Sequence, residues 1–318
     1  MDKQNISHIH DCFGCGVCAA SCAKKIISIE LNRDGFYEPR ITDEALCTHC
    51  GICTDVCAFS HTELPNNDAA PIKSWAAWSN DEDVRHKCSS GGIGYEIGKQ
   101  LIEQGYHAVG CRYDIKEQRA EHYIATTVED FTASVGSKYI QSYTAEAFSQ
   151  IKKRGQKYLV TGTPCQIDSF RRMIRKFKCE DNFILLDFFC HCVPSMHAWI
   201  AYMKMLEPKI GKITYASWRN KFDYGWHDSW LMGMEGEKTA KPIDWHDSYN
   251  FFIMGGALSY SPGCLKEIFS TNSSSETSHL VPNAKPSANI SMTTVVPTSA
   301  LVISGERHTS TIRRELAA

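Results

Sequence analysis

The chain has 318 residues, 43% of them hydrophobic and 22% charged, with a net charge of −2 and a pI of about 6.7. This is a globular composition with room for two domains, and it lacks the basic excess of a nucleic-acid-binding protein. No run reaches the roughly 18 apolar residues of a membrane span: Phe183–Val193 is too short and contains Asp187 and His191.

Met1–Asp11 is polar and has no apolar signal-peptide core, so a cytoplasmic protein is expected. Fifteen cysteines in such a chain point to metal or redox chemistry rather than a disulfide framework, because a reducing compartment keeps thiols free.

In chain order, Cys12 to Cys57 holds eight of the fifteen cysteines. Between the two cysteine groups, Ile26–Ile41 predicts a hairpin. Ile27, Ile29 and Leu31 alternate with polar residues, and Arg33-Asp34-Gly35 supplies the turn. Thr42-Asp43 starts a short helix leading to Cys47. Ser60–Ser74, with Pro65 and Pro71, reads as a linker. Strand–loop–helix units follow. A helix over about Ile93–Gln104 stops at Gly105, and Ala108–Tyr113 is a strand. Tyr158–Thr161 is a buried strand, and a basic helix runs over Asp168–Phe177. Phe183–Phe189 is a strand, with a helix through Leu206 after it. Strands alternating with helices predict an α/β domain.

Cys12, Cys15, Cys18 and Cys22 follow C-x2-C-x2-C-x3-C, and Cys47, Cys50, Cys53 and Cys57 repeat it. Two-residue spacing wraps three thiolates around one cubane, while the fourth cysteine ligates the other cluster. The expected sets are Cys12, Cys15, Cys18 and Cys57 for cluster one, and Cys47, Cys50, Cys53 and Cys22 for cluster two. Structural zinc usually joins two C-x2-C units around one ion, so three consecutive links fit it poorly. Gly14, Gly16 and Gly51 sit where backbone must run close to a cluster. His49, inside the second motif, is expected to neighbour the cluster or face solvent. Residues 8–60 resemble bacterial-type ferredoxins, with Ala23 and Ala58 where proline often follows the fourth cysteine.

Further on, Cys88-Ser89-Ser90-Gly91-Gly92 opens a helix, as a phosphate cradle or a plain N-cap. Ser137–Ser142 (SKYIQS), Gly162–Gln166 (GTPCQ) and Cys190–Ser195 (CHCVPS) place polar residues at element junctions, where α/β sheets bind ligands. Lys138 reads as a charge partner or a solvated side chain. His191 reads as a donor, proton shuttle or structural histidine. Cys165 reads as a redox thiol, an extra cluster ligand or a small buried residue.

In this order, together with Arg219–Trp226 (RNKFDYGW), these motifs resemble the coenzyme F420 hydrogenase/dehydrogenase beta-subunit family over about Trp75–Cys264. The resemblance implies FAD beside the iron–sulfur clusters. It implies a flavin site built from Ser90, Gly91, Gly92, Lys138, Gln141, Ser142, Thr163, Pro164, Cys165 and Gln166, with His191 and Cys165 as catalytic candidates. Clusters carry single electrons and hydride chemistry moves two, so a flavin belongs between them.

The expected layout is an α+β ferredoxin-like dicluster module over 1–62, a linker over 63–74, an α/β flavin-binding domain over 75–264, and an irregular tail over 265–318. The family's second cysteine near Cys264 and its later D-x-W segment are missing, and Cys192 stands where family members usually have glycine. No Phe, Tyr or Trp follows Phe269, and 17 of the 49 residues from Ser270 are Ser or Thr. An aberrant end (frameshifted or truncated) is expected, with a divergent tail as the alternative. The leading functional expectation is an iron–sulfur flavoprotein oxidoreductase that exchanges electrons with a redox partner protein or a small-molecule donor or acceptor. A non-catalytic electron-transfer subunit of a larger complex is the competing one.

Overall fold

The computed structural model describes residues 4–9, 12–61, 75–152, 154–188, 190, 193–221, 231–242, 248–249 and 301–304. The N-terminal module carries helix α1 (Val17–Ser21), strands β1 (Ile27–Leu31) and β2 (Tyr37–Ile41), and helix α2 (Ile52–Asp55). β1 and β2 pair antiparallel with Ile29 opposite Pro39, as the alternating pattern predicts. The turn before Cys47 is a single 3-10 turn, Glu44–Leu46, capped by the Asp43 carboxylate.

The second domain continues with α3 (Glu82–Lys87), α4 (Ile93–Glu103), β3 (His107–Asp114), β4 (Arg119–Ala125), α5 (Val128–Phe131) and β5 (Ser142–Tyr143). Next come α6 (Ala145–Gln150), β6 (Tyr158–Gly162), α7 (Pro164–Lys176), β7 (Phe183–Phe188) and α8 (Met196–Ile210). β8 (Ile213–Ser217), β9 (Gly233–Gly236), β10 (Thr239–Pro242) and β11 (Leu301–Ser304) complete the described elements.

Six strands form one sheet in the order β11-β7-β6-β3-β4-β5. β3, β6 and β7 run parallel, as do β4 and β5, whereas β3–β4 and β11–β7 are antiparallel. The sheet is therefore mixed. Its centre reads as near-continuous apolar sequence because it is covered on both faces. Val109, Val160 and Leu185 point to one face, where they meet Ile167, Phe170, Met173 and Ile174 of α7. Ala108, Leu159, Ile184 and Leu186 point to the other, toward Ile97 and Leu101 of α4. β8, β9 and β10 make a separate antiparallel sheet. Behind it an aromatic core gathers Trp199, Tyr202, Trp218 and Tyr249.

Three expectations change. α7 starts at Pro164, four residues before Asp168, because Thr163 and Gln166 form a capping box and proline suits the first helical position. The α/β reading missed β4, which returns antiparallel beside β3. The tail is not wholly irregular. Leu301–Ser304, a short aliphatic run, pairs with the β7 edge, with Ile303 opposite Leu186. The rest of 265–318 and the expected linker 63–74 lie outside the described residues.

Candidate iron–sulfur and cofactor site

Cys12 and Cys15 lie on the loop entering α1, Cys18 lies in α1 itself, and Cys57 arrives from beyond α2. The structure brings these four together. Burial first, then the neighbouring thiols Cys15 and Cys57, push Cys12 up to about 12. Cys18 is raised well above the ordinary thiol range by burial and by Cys15, Cys12 and Cys57. Four thiolates in this space would need positive charge between them, which ligated iron would supply. Backbone amides already face the sulfurs: Gly14 donates to Cys12 Sγ at 3.3 Å, and Val17 and Ala19 donate to Cys15 and Cys18. The donor set and its N–H groups suit a cubane.

The other quartet differs. Cys53 is buried, Cys47 and Cys22 are half-buried, and Cys50 is exposed. Cys50 raises Cys53, after burial. Glu44, Cys47 and His49 offer ligand atoms within 4.8 Å of one another. Asn5 donates to Cys47 Sγ at 3.7 Å, a residue that no motif marked.

The first quartet is built into the second domain. Gln141 accepts from the Tyr37 amide at 2.6 Å and donates to the Phe13 carbonyl at 2.9 Å. Thr144 Oγ1 donates to the Cys15 carbonyl at 2.9 Å. Ser169 accepts from the Ala58 amide at 3.1 Å and bonds Cys15 Sγ. Behind them Cys15, Val17 and Val56 share one core with Phe148, Phe170 and Phe183. Gly14 and Gly16 have φ of 66° and 72°. A Cβ at Gly16 would strike Thr144 and one at Gly14 would strike Gln141, so the glycines also permit docking. On the hairpin side, Ser195 Oγ donates to the Asp34 carbonyl at 2.6 Å, and the Met196 amide donates to the Gly35 carbonyl at 2.8 Å. The Lys176–Asp55 ion pair at 2.8 Å is half-exposed and adds little.

The residues assigned to a flavin divide into three places. Gln141 is occupied at the domain junction. Gln166 Nε2 donates to Ser142 Oγ at 3.0 Å, while its Oε1 accepts from the Thr163 amide at 2.9 Å. Ser89, beside Ser90 and Gly91, accepts from the Ser137 amide at 2.7 Å, which ties the SSGG turn to the SKYIQS loop. Gly92 caps the eleven-residue α4 at φ 86° with no side-chain cap, so a simple side-chain N-cap is not what this turn provides.

Lys138 is not a solvated surface lysine. Its ammonium donates to the carbonyls of Ser134, Val135 and Gly136 at 3.0–3.1 Å. Burial pulls it down to about 8, offset by the thiols Cys111 and Cys88. Lys221, from the RNKFDYGW motif, donates to the Arg85 carbonyl at 2.9 Å. Burial likewise pulls it down to about 8, offset by Cys88. Two lysines thus lie near Cys88 at the start of the SSGG turn, and their positive charge suits an anionic group.

Cys165 sits in the first turn of α7, with Thr163 Oγ1 at 3.2 Å from its sulfur. Burial, then Cys190, push it up to about 12, and it lies close enough to Cys15 to raise that thiol as well. His191 lies outside the described residues.

Residues 74–149 match the N-terminal domain of the coenzyme F420 hydrogenase/dehydrogenase beta subunit, and residues 155–264 match its C-terminal domain. The chain belongs to this family. Residues 11–60 match a 4Fe-4S dicluster domain, so this beta-subunit relative is an iron–sulfur electron-transfer protein of an oxidoreductase family. The match ends at residue 264. No curated protein matches the chain. Among solved structures, a chain of the xenon-derivatised F420-reducing [NiFe] hydrogenase complex from Methanosarcina barkeri is similar at 17% identity and a TM-score of 0.36. The similarity covers 52% of this chain and 58% of that one. Among the described residues, no helix is long and apolar enough to cross a membrane.

Proposed function

We propose that the chain is an iron–sulfur flavoprotein that relays electrons between an external donor or acceptor and FAD, with the two clusters as the wire. The observation that carries this reading is the opposite setting of the two quartets. One is packed against the second domain, with Cys15 bonded to Ser169 and near Cys165. The other has Cys50 at the surface. Such a wire has one end for a partner and one for an internal acceptor.

The SSGG turn at the start of α4 would hold the cofactor's phosphates, with Lys221 and Lys138 adding positive charge beside it; the Lys138 ammonium already spends its donors on loop carbonyls and contributes charge rather than contacts. FAD, when bound, supplies the conversion between one- and two-electron steps. Cys165, near both Cys15 and Cys190, would be the thiol next to the inner cluster on this route. The external partner is a redox protein or a small-molecule carrier that reaches the surface near Cys50.

Anaerobic purification followed by iron, sulfide and flavin analysis tests the reading. About eight iron per chain with flavin absorbance is expected. Two clusters without flavin, even after reconstitution with FAD, would overturn it in favour of a simple carrier subunit.

A further inference from the structure

Asn5 lies outside both cysteine motifs, yet its side chain is buried at 4% exposure and its amide is fully engaged. Its Oδ1 accepts from the Ser7 backbone amide at 3.1 Å and from Ser7 Oγ at 2.6 Å. A backbone N–H can only donate, so the oxygen of Asn5 must face Ser7. That fixes the amide's orientation without reference to the cysteine. The NH2 end is then turned to two acceptors, Glu44 Oε1 at 2.7 Å and Cys47 Sγ at 3.7 Å.

We infer that Asn5 is a positioning residue that raises the reduction potential of the outer cluster through an N–H···S bond to Cys47. The inference rests on Cys47 ligating that cluster. A hydrogen bond to a ligand sulfur draws electron density from the cluster and favours its reduced, more negative state. Glu44 acts in the opposite sense, since its carboxylate lies within 4.8 Å of the Cys47 ligand atom. Asn5 stands between the two, holding the carboxylate with one N–H and the sulfur with the other. The first quartet receives its amides from the backbone of its own loop and a hydroxyl from Ser169, so Asn5 acts on one end of the wire only.

Redox titration of the anaerobic holoprotein, followed by electron paramagnetic resonance, separates the two clusters. Asn5→Ser keeps a neutral group able to cap the turn but is too short to reach Cys47. Asn5→Asp keeps the acceptor for Ser7 and removes the donor. In both, one midpoint should fall while the other stays. A shift of about tenfold in the oxidised-to-reduced ratio is expected for Asn5→Ser, or roughly 59 mV for a one-electron couple, with a larger one for Asn5→Asp. Glu44→Gln should move the same midpoint upward.

Unchanged midpoints, equal shifts of both clusters, or loss of cluster assembly in both Asn5 variants would each overturn the inference. Wild-type protein with fewer than two clusters would instead remove the ligand assignment on which it stands.

Discussion

The two cysteine quartets have the same spacing and opposite surroundings. In the first, Cys15, Cys18 and Cys57 are buried, and Cys15 lies in a core shared with the second domain. The second leaves Cys50 exposed and is bordered by Glu44, Leu46 and His49, all exposed. Spacing sets what can be ligated. What packs against the loop decides which end of the wire it becomes. The distinction comes from Gln141, Thr144 and Ser169, which lie 80 or more residues beyond the last ligand, Cys57.

The largest way to break this contrast is Cys57→Ser. Cys57 closes the second motif but sits with Cys12 and Cys18, so the variant should lose the inner cluster, about four iron per chain, and keep the outer one. Cys22→Ser should do the reverse. Iron analysis with electron paramagnetic resonance reads both, and loss of the outer cluster in Cys57→Ser would refute the crossed ligation.

A smaller effect is expected from Gln141→Leu, which strands the Tyr37 amide and the Phe13 carbonyl at a buried junction. Two unsatisfied groups destabilise by about 2–4 kcal/mol, measured by chemical denaturation of the cluster-loaded protein. Flavin loss with unchanged stability would return Gln141 to the cofactor.

The smallest expected effect is pH-dependent. His122 is buried and lies edge-on to Phe148 at 5.5 Å, within the core that backs the inner quartet. Its Nε2 lies 3.2 Å from the Thr161 carbonyl, and burial pulls its pKa from 6.5 down to about 4. The folded state keeps the ring neutral while the unfolded chain takes up a proton below pH 6.5. The contribution is therefore present above that pH and is lost as pH falls toward 4. It is about 3 kcal/mol in full, of which about 2 kcal/mol is lost between pH 6.5 and pH 5. His122→Phe should flatten this part of the stability profile, and an unchanged profile would remove His122 as its source.

Much of this was legible in the sequence. The cysteine spacing, the hairpin alternation from Ile27 to Leu31, and the apolar runs at Tyr158 and Phe183 depend on local periodicity. So did the end of α4 at Gly105, whose φ is 87°. The start of α7 is hidden because proline suits a turn as well as a first helical position, and Thr163 and Gln166 make it a helix beginning. β4 and the sheet of β8, β9 and β10 are not legible in the sequence; in Arg119–Ala125 the polar Glu121 and His122 are both buried, which hides the strand pattern.

Within the site, Gln141 and Lys138 are motif residues; Lys138 binds nearby loop carbonyls, whereas the partners of Gln141 are the distant Tyr37 and Phe13. No local pattern encodes a bond across more than a hundred residues. Asn5 and Ser169 carried no motif at all, although an asparagine shortly before a first cysteine motif merits inspection as a cap or sulfur donor.

The junction bonds end on the backbone of the ligand loop itself, at the Phe13 and Cys15 carbonyls. The conformation that gathers sulfur around iron is therefore the one that the second domain grips. Docking and metallation are thermodynamically linked: each must tighten the other by the same factor. A chain that has lost its inner cluster should hold its own halves together less firmly, and a chain whose halves are loosened should surrender iron from the inner end more readily.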